Sequence, residues 1–149
     1  MAAIAVTGHR PEKLVLPERE IMNRTQHALH NLGANLVYQG MAAGYDLLAA
    51  RAAWELGIPF VACLPWRGWN GRKDWRARHV WALKNAFEIV EFDTSMKYPG
   101  PYIFQVRNEY MIDKSDQLLA FWDGTPGGTH NAIGYAESKN VFVSYIETT

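Results

Sequence analysis

The sequence predicts an α/β protein: a single Rossmann-like domain with a mainly parallel sheet of about six strands and helices on both faces. Three observations carry that prediction. Short apolar runs alternate with amphipathic helical stretches throughout the 149 residues. One run, "IPFVACLP", is apolar along its length, as expected of a strand covered on both faces. The connections are also asymmetric. "GAN" and "GIP", between helix and strand, are plain stops. The strand-to-helix connections "TGHRPEK", "GMAAGYD", "PWRGWNGRKD", "DTSMKYPGPY" and "DGTPGGTH" collect glycine, charge and hydroxyl groups.

The elements follow in order. "AIAVTG" (3–8) reads as the first strand. Residues 17–32 place Ile21, Thr25, Ala28, Leu29 and Leu32 on one helical face, and Gly33 ends that helix. "NLVYQG" (35–40) is the second strand. Over 43–56 the face is Tyr45, Leu48, Ala49, Ala52, Ala53 and Leu56, stopped by Gly57. "IPFVACLP" (58–65) is the third strand, and residues 72–86 form a helix with Trp75, His79, Ala82, Leu83 and Ala86 aligned. "FEIVEF" (87–92) is strand four, "IFQVRNEYMIDKS" (103–115) helix four, and "DQLLAFWD" (116–123) strand five. "THNAIGYAESKN" (129–140) is helix five and "VFVSYI" (141–146) strand six. One domain over 1–149 accounts for the whole pattern, with no repeat or linker.

Bulk properties narrow the function classes. The formal net charge is zero, so whole-chain electrostatics give no push toward nucleic acid or an anionic membrane. The one cysteine, Cys63, cannot form an internal disulfide, and there is no signal-peptide pattern. A cytoplasmic setting is expected. No run approaches the roughly 20 apolar residues that span a bilayer, so no membrane partner is expected. His27, His30 and His79 show no metal-ligand spacing, so no metal or other cofactor is expected.

In a doubly wound sheet, ligands bind beyond the carboxyl ends of the strands, where strand order reverses. The strand-to-helix loops are therefore the candidate site. Thr7, Gly8, His9 and Arg10 follow strand one, with Arg10 a phosphate partner and His9 a donor or titrating group. The competing structural role for Arg10 is a local pair with Glu12. In "GMAAGYD", Gly40, Met41 and Gly44 would bring backbone N–H groups to an anion at a helix start. Asp46, in that helix's first turn, either complements the dipole or accepts from a ribose hydroxyl. In "DGTPGGTH", Asp123, Gly127 and Gly128 precede Thr129, read as the cap of helix five and a hydroxyl donor to phosphate. Arg107 and Asn108, in "RNEYMID", supply a second cation and an amide, or else a surface salt bridge.

Between positions 66 and 81, Trp66, Trp69, Trp75 and Trp81 interleave with Arg67, Arg72, Lys73, Arg76 and Arg78, opposed in sequence only by Asp74. Aromatic side chains among cations are the make-up of a single-strand-binding surface. Trp75 falls on the buried stripe, however, and Trp66 and Trp69 serve equally to stack a base, cover a pocket or contact another subunit. Exposed tryptophans make a homo-oligomer an expectation as well.

"TGHRPEKL", "GMAAGYDLLAARAA", "GIPFVACLPW", "RNEYMIDKSDQLLAFWDG" and "GGT" before a helix, in this order, resemble the YpsA-like branch of the SLOG superfamily. These are Rossmann-like proteins related to DprA/Smf and to the LOG phosphoribohydrolases. The resemblance covers nearly the whole chain. It implies a pocket for a nucleotide or nucleotide derivative at the sheet's carboxyl edge, without a settled reaction. The relation to DprA implies single-stranded nucleic acid as a less favoured partner. An enzyme cleaving a nucleotide's N-glycosidic or phosphate bond is a third reading. Against LOG-type cleavage, Ala132 stands where that pattern has its catalytic Glu, three residues after Thr129. Asp46, Glu109, Asp113 and Asp123 are the acids left to substitute, and Glu137 lies too far along helix five.

Overall fold

A computed structural model describes residues 2–149. Six strands form one sheet: β1 (Ala2–Gly8), β2 (Ala34–Gln39), β3 (Phe60–Leu64), β4 (Glu88–Glu91), β5 (Gln117–Phe121) and β6 (Phe142–Ile146). Their spatial order is β4-β3-β2-β1-β5-β6 and every neighbouring pair is parallel. The helices are α1 (Glu18–Asn31), α2 (Tyr45–Glu55), α3 (Arg76–Asn85), α4 (Tyr102–Asp113) and α5 (Gly128–Ser138). Short 3-10 turns at Pro11–Lys13 and Lys73–Trp75 lead toward α1 and α3.

The pleat of the central strands divides the core in two. Ile4 and Val6 of β1 join Val37, Phe60, Leu119 and Phe121 under α1, α2 and α3, where Ile21, Leu29, Leu48, Trp75 and Ala82 close the layer. Ala5 faces the other way with Tyr38, Val61, Cys63, Leu118 and Ala120, beneath Met111 and Ile112 of α4 and Ala132, Ile133 and Ala136 of α5. All five residues of β3 are buried, as its unbroken apolar run predicts. β4 and β6 are the sheet's edges, and Ile89, Phe142 and Tyr145 remain exposed there.

The chain builds β1 to β4 outward in one direction, then returns to place β5 on the free side of β1. Strand order therefore reverses between β1 and β5, which opens a crevice at their carboxyl ends. No described helix is long and apolar enough to cross a membrane.

Candidate functional site

A cleft of about 620 Å³ lies at that crevice, and loops after β1, β2, β3 and β5 line it together with one face of α4. From the first loop come Thr7, Gly8, His9 and Arg10. Arg10 takes an extended conformation (φ −70°, ψ 165°), as a residue before proline is required to. Pro11 then starts the 3-10 turn and delays α1 to Glu18, which keeps Arg10 exposed at the mouth of the cleft. Arg10 forms no ion pair among the described residues. Glu12 pairs instead with Arg72 from the third loop, so the local Arg10–Glu12 pair does not form.

The second loop contributes differently from the sequence reading. Gly44 has φ +97°, and a Cβ there would lie 2.6 Å from the carbonyl oxygen of His9. The glycine thus lets the start of α2 pack directly on the first loop, where Tyr45 N–H donates to His9 O at 3.0 Å. Met41 is fully buried, with φ +64°, and its backbone N–H donates to Gln39 Oε1 at 2.7 Å. A Cβ on Gly40 would lie 2.8 Å from Arg107 Nε and 2.9 Å from Asp46 Oδ2. Gly40, Met41 and Gly44 therefore stand behind the cleft wall and hold its lining in place; they do not line it.

Arg107, on α4, is the central group of that wall. It is 8% exposed, and its guanidinium donates to Gly40 O at 2.8 Å and to Asn108 Oδ1 at 2.9 and 3.1 Å. No acidic side chain pairs with it among the described residues. Three of its five N–H groups are thus engaged. Asp46 is equally buried and lines the same wall. Burial pushes its carboxyl up to about 6, against the pull of Arg107, the Ala42 and Gly40 backbone N–H groups and Arg10. The alternative role for Arg107, a surface salt bridge, does not form: Arg107 is a buried cation held on neutral oxygens.

The fifth loop closes the opposite side. α5 begins at Gly128 with Gly127 (φ +145°) at the cap and no side-chain cap bond. Thr129 is therefore inside the first turn rather than at the cap. It is 7% exposed and lines the cleft with Gly127 and Gly128. The first N–H groups of an uncapped helix are free donors, and the dipole favours an anion beside them. Asp123 does not line the cleft. Its Oδ1 accepts from the Thr125 N–H (3.0 Å) and hydroxyl (2.5 Å), which shapes the turn. His9 Nε2 lies 2.9 Å from both the Asp123 backbone nitrogen and its Oδ1. One ring nitrogen cannot accept from the first while donating to the second. Burial lowers the His9 pKa despite the nearby carboxylate, so the neutral ring accepts the backbone N–H and carries its proton on Nδ1. Lys13 Nζ reaches across to Thr125 Oγ1 at 2.6 Å and ties the first loop to the fifth.

Aromatic side chains form the remaining wall. Trp66 is 8% exposed and packs against Trp69 (5.1 Å between ring centroids), Tyr98 (5.2 Å) and Phe104 (6.2 Å). Trp66, Trp69 and Phe104 all line the cleft. His79 is buried on α3 and lies 3.1 Å from Trp69 O, which holds that loop down. The cations of the same tract are largely spent. Arg67 pairs with Glu91, Arg72 with Glu12 and Asp74, and Arg78 with Glu18. Trp75 is buried with Arg78 stacked 4.0 Å from its ring centroid.

Of the predicted site residues, Thr7, Gly8, His9, Arg10, Asp46, Arg107, Asn108, Gly127, Gly128 and Thr129 meet in the cleft. Phe104, Gln105 and Asn131 were not singled out by sequence reasoning. Phe104 lies three residues before Arg107, Gln105 three before Asn108 and Asn131 four after Gly127, so helical periodicity from those three positions is the available signal. Among the candidate substitute acids only Asp46 lines the cleft; Glu109, Asp113 and Asp123 do not. Ala132 is 2% exposed and packs in the core layer beneath α5.

No family model matches the chain. A UPF0398 protein of Bacillus cereus (strain G9842) is 27% identical over 97% of this chain and 88% of its own length. One from Bacillus thuringiensis (strain Al Hakam) matches at 27% with the same coverage. Among solved structures, DNA processing protein A of Helicobacter pylori, described for its single-stranded DNA binding mode, superposes with a TM-score of 0.73 at 18% identity. The match covers 96% of this chain and 64% of that one. The Moco carrier protein of Chlamydomonas rheinhardtii gives a TM-score of 0.59 at 16% identity, over 96% of this chain and 74% of its own. This chain spans less than two thirds of the Helicobacter protein's length. The fold is Rossmann-like, and the resemblance to the YpsA-like branch is matched by the UPF0398 proteins along almost the whole chain.

Proposed function

We propose that this protein binds a nucleotide or nucleotide-derived small molecule in the cleft. Its phosphate lies against Arg107 and the start of α5, and its base lies toward Trp66, Trp69 and Phe104. The observation that carries this reading is the state of Arg107: a guanidinium 8% exposed, lining a cleft, in no salt bridge among the described residues, with only the neighbouring buried Asp46 to offset its charge. A buried cation is costly unless an anion accompanies it. Around it stand the uncapped N-terminus of α5, the Thr129 side chain and, at the mouth, Arg10 and Lys13. That set suits a phosphate, and the aromatic wall suits a planar base. DNA processing protein A, described for its single-stranded DNA binding mode, and the Moco carrier protein share the fold, and single-stranded DNA is a chain of nucleotides.

Cleavage by the LOG route is not part of the proposal, because Ala132 stands at the position of the catalytic Glu and lies in the core. The test is isothermal titration of AMP, GMP, CMP and UMP. Charge-assisted hydrogen bonds contribute roughly 1.5–3 kcal/mol each, so Arg107→Ala should weaken binding by about tenfold to a hundredfold or more. Arg10→Ala should weaken it by about tenfold, and Arg76→Ala should leave it unchanged. Arg107→Lys, which keeps the charge but loses the fork, serves as the folded control. No measurable binding of any mononucleotide by the unaltered protein would sink the reading.

A further inference from the structure

The cleft does not end at α5. A second, open groove of about 440 Å³ runs between α4 and α5, lined by Gln105, His130, Asn131, Gly134 and Tyr135. Gln105 and Asn131 also line the main cleft, so the two depressions adjoin and share a wall. On α5 the groove residues fall at i, i+1, i+4 and i+5, one strip that begins beside the anion-binding N-terminus and extends a further turn.

Gly134 is the unexplained residue in this strip. It sits in mid-helix, where glycine costs stability relative to alanine. It is not among the residues of positive φ, so the backbone does not require it. Nothing lies within 4 Å of a Cβ built on it, so packing among the described residues does not require it either. A glycine that neither backbone nor packing explains leaves a flat floor in a groove. Its flanks are rings held in place from outside. His130 stacks on Trp122 with planes 3° apart and centroids at 5.5 Å, and the Tyr135 hydroxyl donates to Asp113 at 2.7 Å. The lining contains no Lys, Arg, Asp or Glu. Gln105 and Asn131 offer amide donors and acceptors at the junction. This is a surface for an uncharged, flat, hydrogen-bonding group, not for a second phosphate.

We infer that the groove is a second subsite of the same pocket, for the distal nucleoside of a dinucleotide whose phosphate occupies the Arg107 site. The inference rests on the proposed anion site, since the groove gains its meaning from where the phosphate lies. The ligand class is then a small dinucleotide with a nucleoside on each side of its phosphates.

The experiment titrates three probes into the intact chain: AMP, diadenosine diphosphate, and an oligothymidylate of about eight nucleotides. It is repeated with Gly134→Leu, which fills the groove, and Gly134→Ala, which confirms by an unchanged or raised Tm that the helix tolerates a side chain there. The expected result is diadenosine diphosphate binding at least about tenfold more tightly than AMP, the advantage vanishing in Gly134→Leu while AMP affinity stays the same. Equal affinity for the two, unmoved by Gly134→Leu, overturns the second subsite and leaves the mononucleotide reading standing. Binding of the oligothymidylate, lost in Gly134→Leu while diadenosine diphosphate shows no gain over AMP, overturns the dinucleotide in favour of a strand. No binding of AMP or diadenosine diphosphate to the unaltered protein overturns both readings.

Discussion

Asp46 and Arg107 are buried side by side, yet Arg107 rests on neutral oxygens and Asp46 has its carboxyl pushed from an ordinary 3.8 up to about 6 by burial. The folded state therefore holds the Asp46 proton more tightly than the unfolded chain does. That advantage is complete below pH 3.8 and is lost as pH rises through about 6. A shift of roughly two pKa units corresponds to about 3 kcal/mol. His9 and His79 shift the opposite way, since burial lowers both, and acidification through their ordinary value costs stability. The whole-protein pH profile mixes these contributions, but the difference between the protein and Asp46→Asn isolates one. Asp46→Asn, which keeps an oxygen for the Ala42 N–H, should gain about 2–3 kcal/mol relative to the unaltered protein on going from pH 4 to pH 8. Urea midpoints at the two pH values measure this. Parallel shifts in both proteins would show that burial does not strain the carboxylate.

At the scale of elements, α2 shows what the sequence conveyed and what it withheld. Its apolar face, Tyr45 through Leu56, was legible, as was its start in a glycine loop. The loop's direction was not. A glycine near a helix start reads equally as a floor for a ligand or as a bearing for another backbone. Gly44 is the second kind, since the carbonyl of His9 occupies the space where a ligand was expected. α5 misled in a similar way: Thr129 has the chemistry of a cap, but Gly127 alone adopts the φ of +145° that the turn needs. Gly44→Ala should accordingly disturb two loops at once. The left-handed backbone at φ +97° is one cost, and a methyl 2.6 Å from His9 O is another. Strained backbone alone costs on the order of 1–3 kcal/mol, so a loss of at least about 2 kcal/mol is expected, with His9 and Arg10 displaced. A thermal melt reads the first effect. The second appears as weaker nucleotide binding even at temperatures where the variant is fully folded. A variant as stable as the parent would mean that the two loops do not bear on each other.

For the whole molecule, alternating strands and helices sufficed to place the cleft, because a parallel sheet puts every strand-to-helix loop on one edge. The charge balance over that edge was not legible. Within their own tract Arg67, Arg72, Lys73, Arg76 and Arg78 face only Asp74, but further acids that neutralise Arg67, Arg72 and Arg78 come from β4, the first loop and the start of α1. Pairing across elements turns an apparently basic stripe into a nearly neutral surface around a cationic cleft. Nucleic-acid affinity grows with the number of phosphates neutralised and falls with salt in proportion. A surface whose arginines already hold carboxylates has few counterions to release. An oligothymidylate of about 20 nucleotides should therefore bind weakly at about 0.15 M salt, and its salt slope should be near that of one or two contacts. Arg67→Ala/Arg76→Ala should change neither that slope nor mononucleotide affinity. A steep slope, flattened by those two substitutions, would mean that the strand displaces Glu91 from Arg67 and that the tract is the working surface. Arg10 and Arg107, which have no carboxylate to surrender, would then be expected to matter less than the tract. The same titrations with Arg10→Ala decide between the two surfaces: a loss confined to the mononucleotide assigns binding to the cleft.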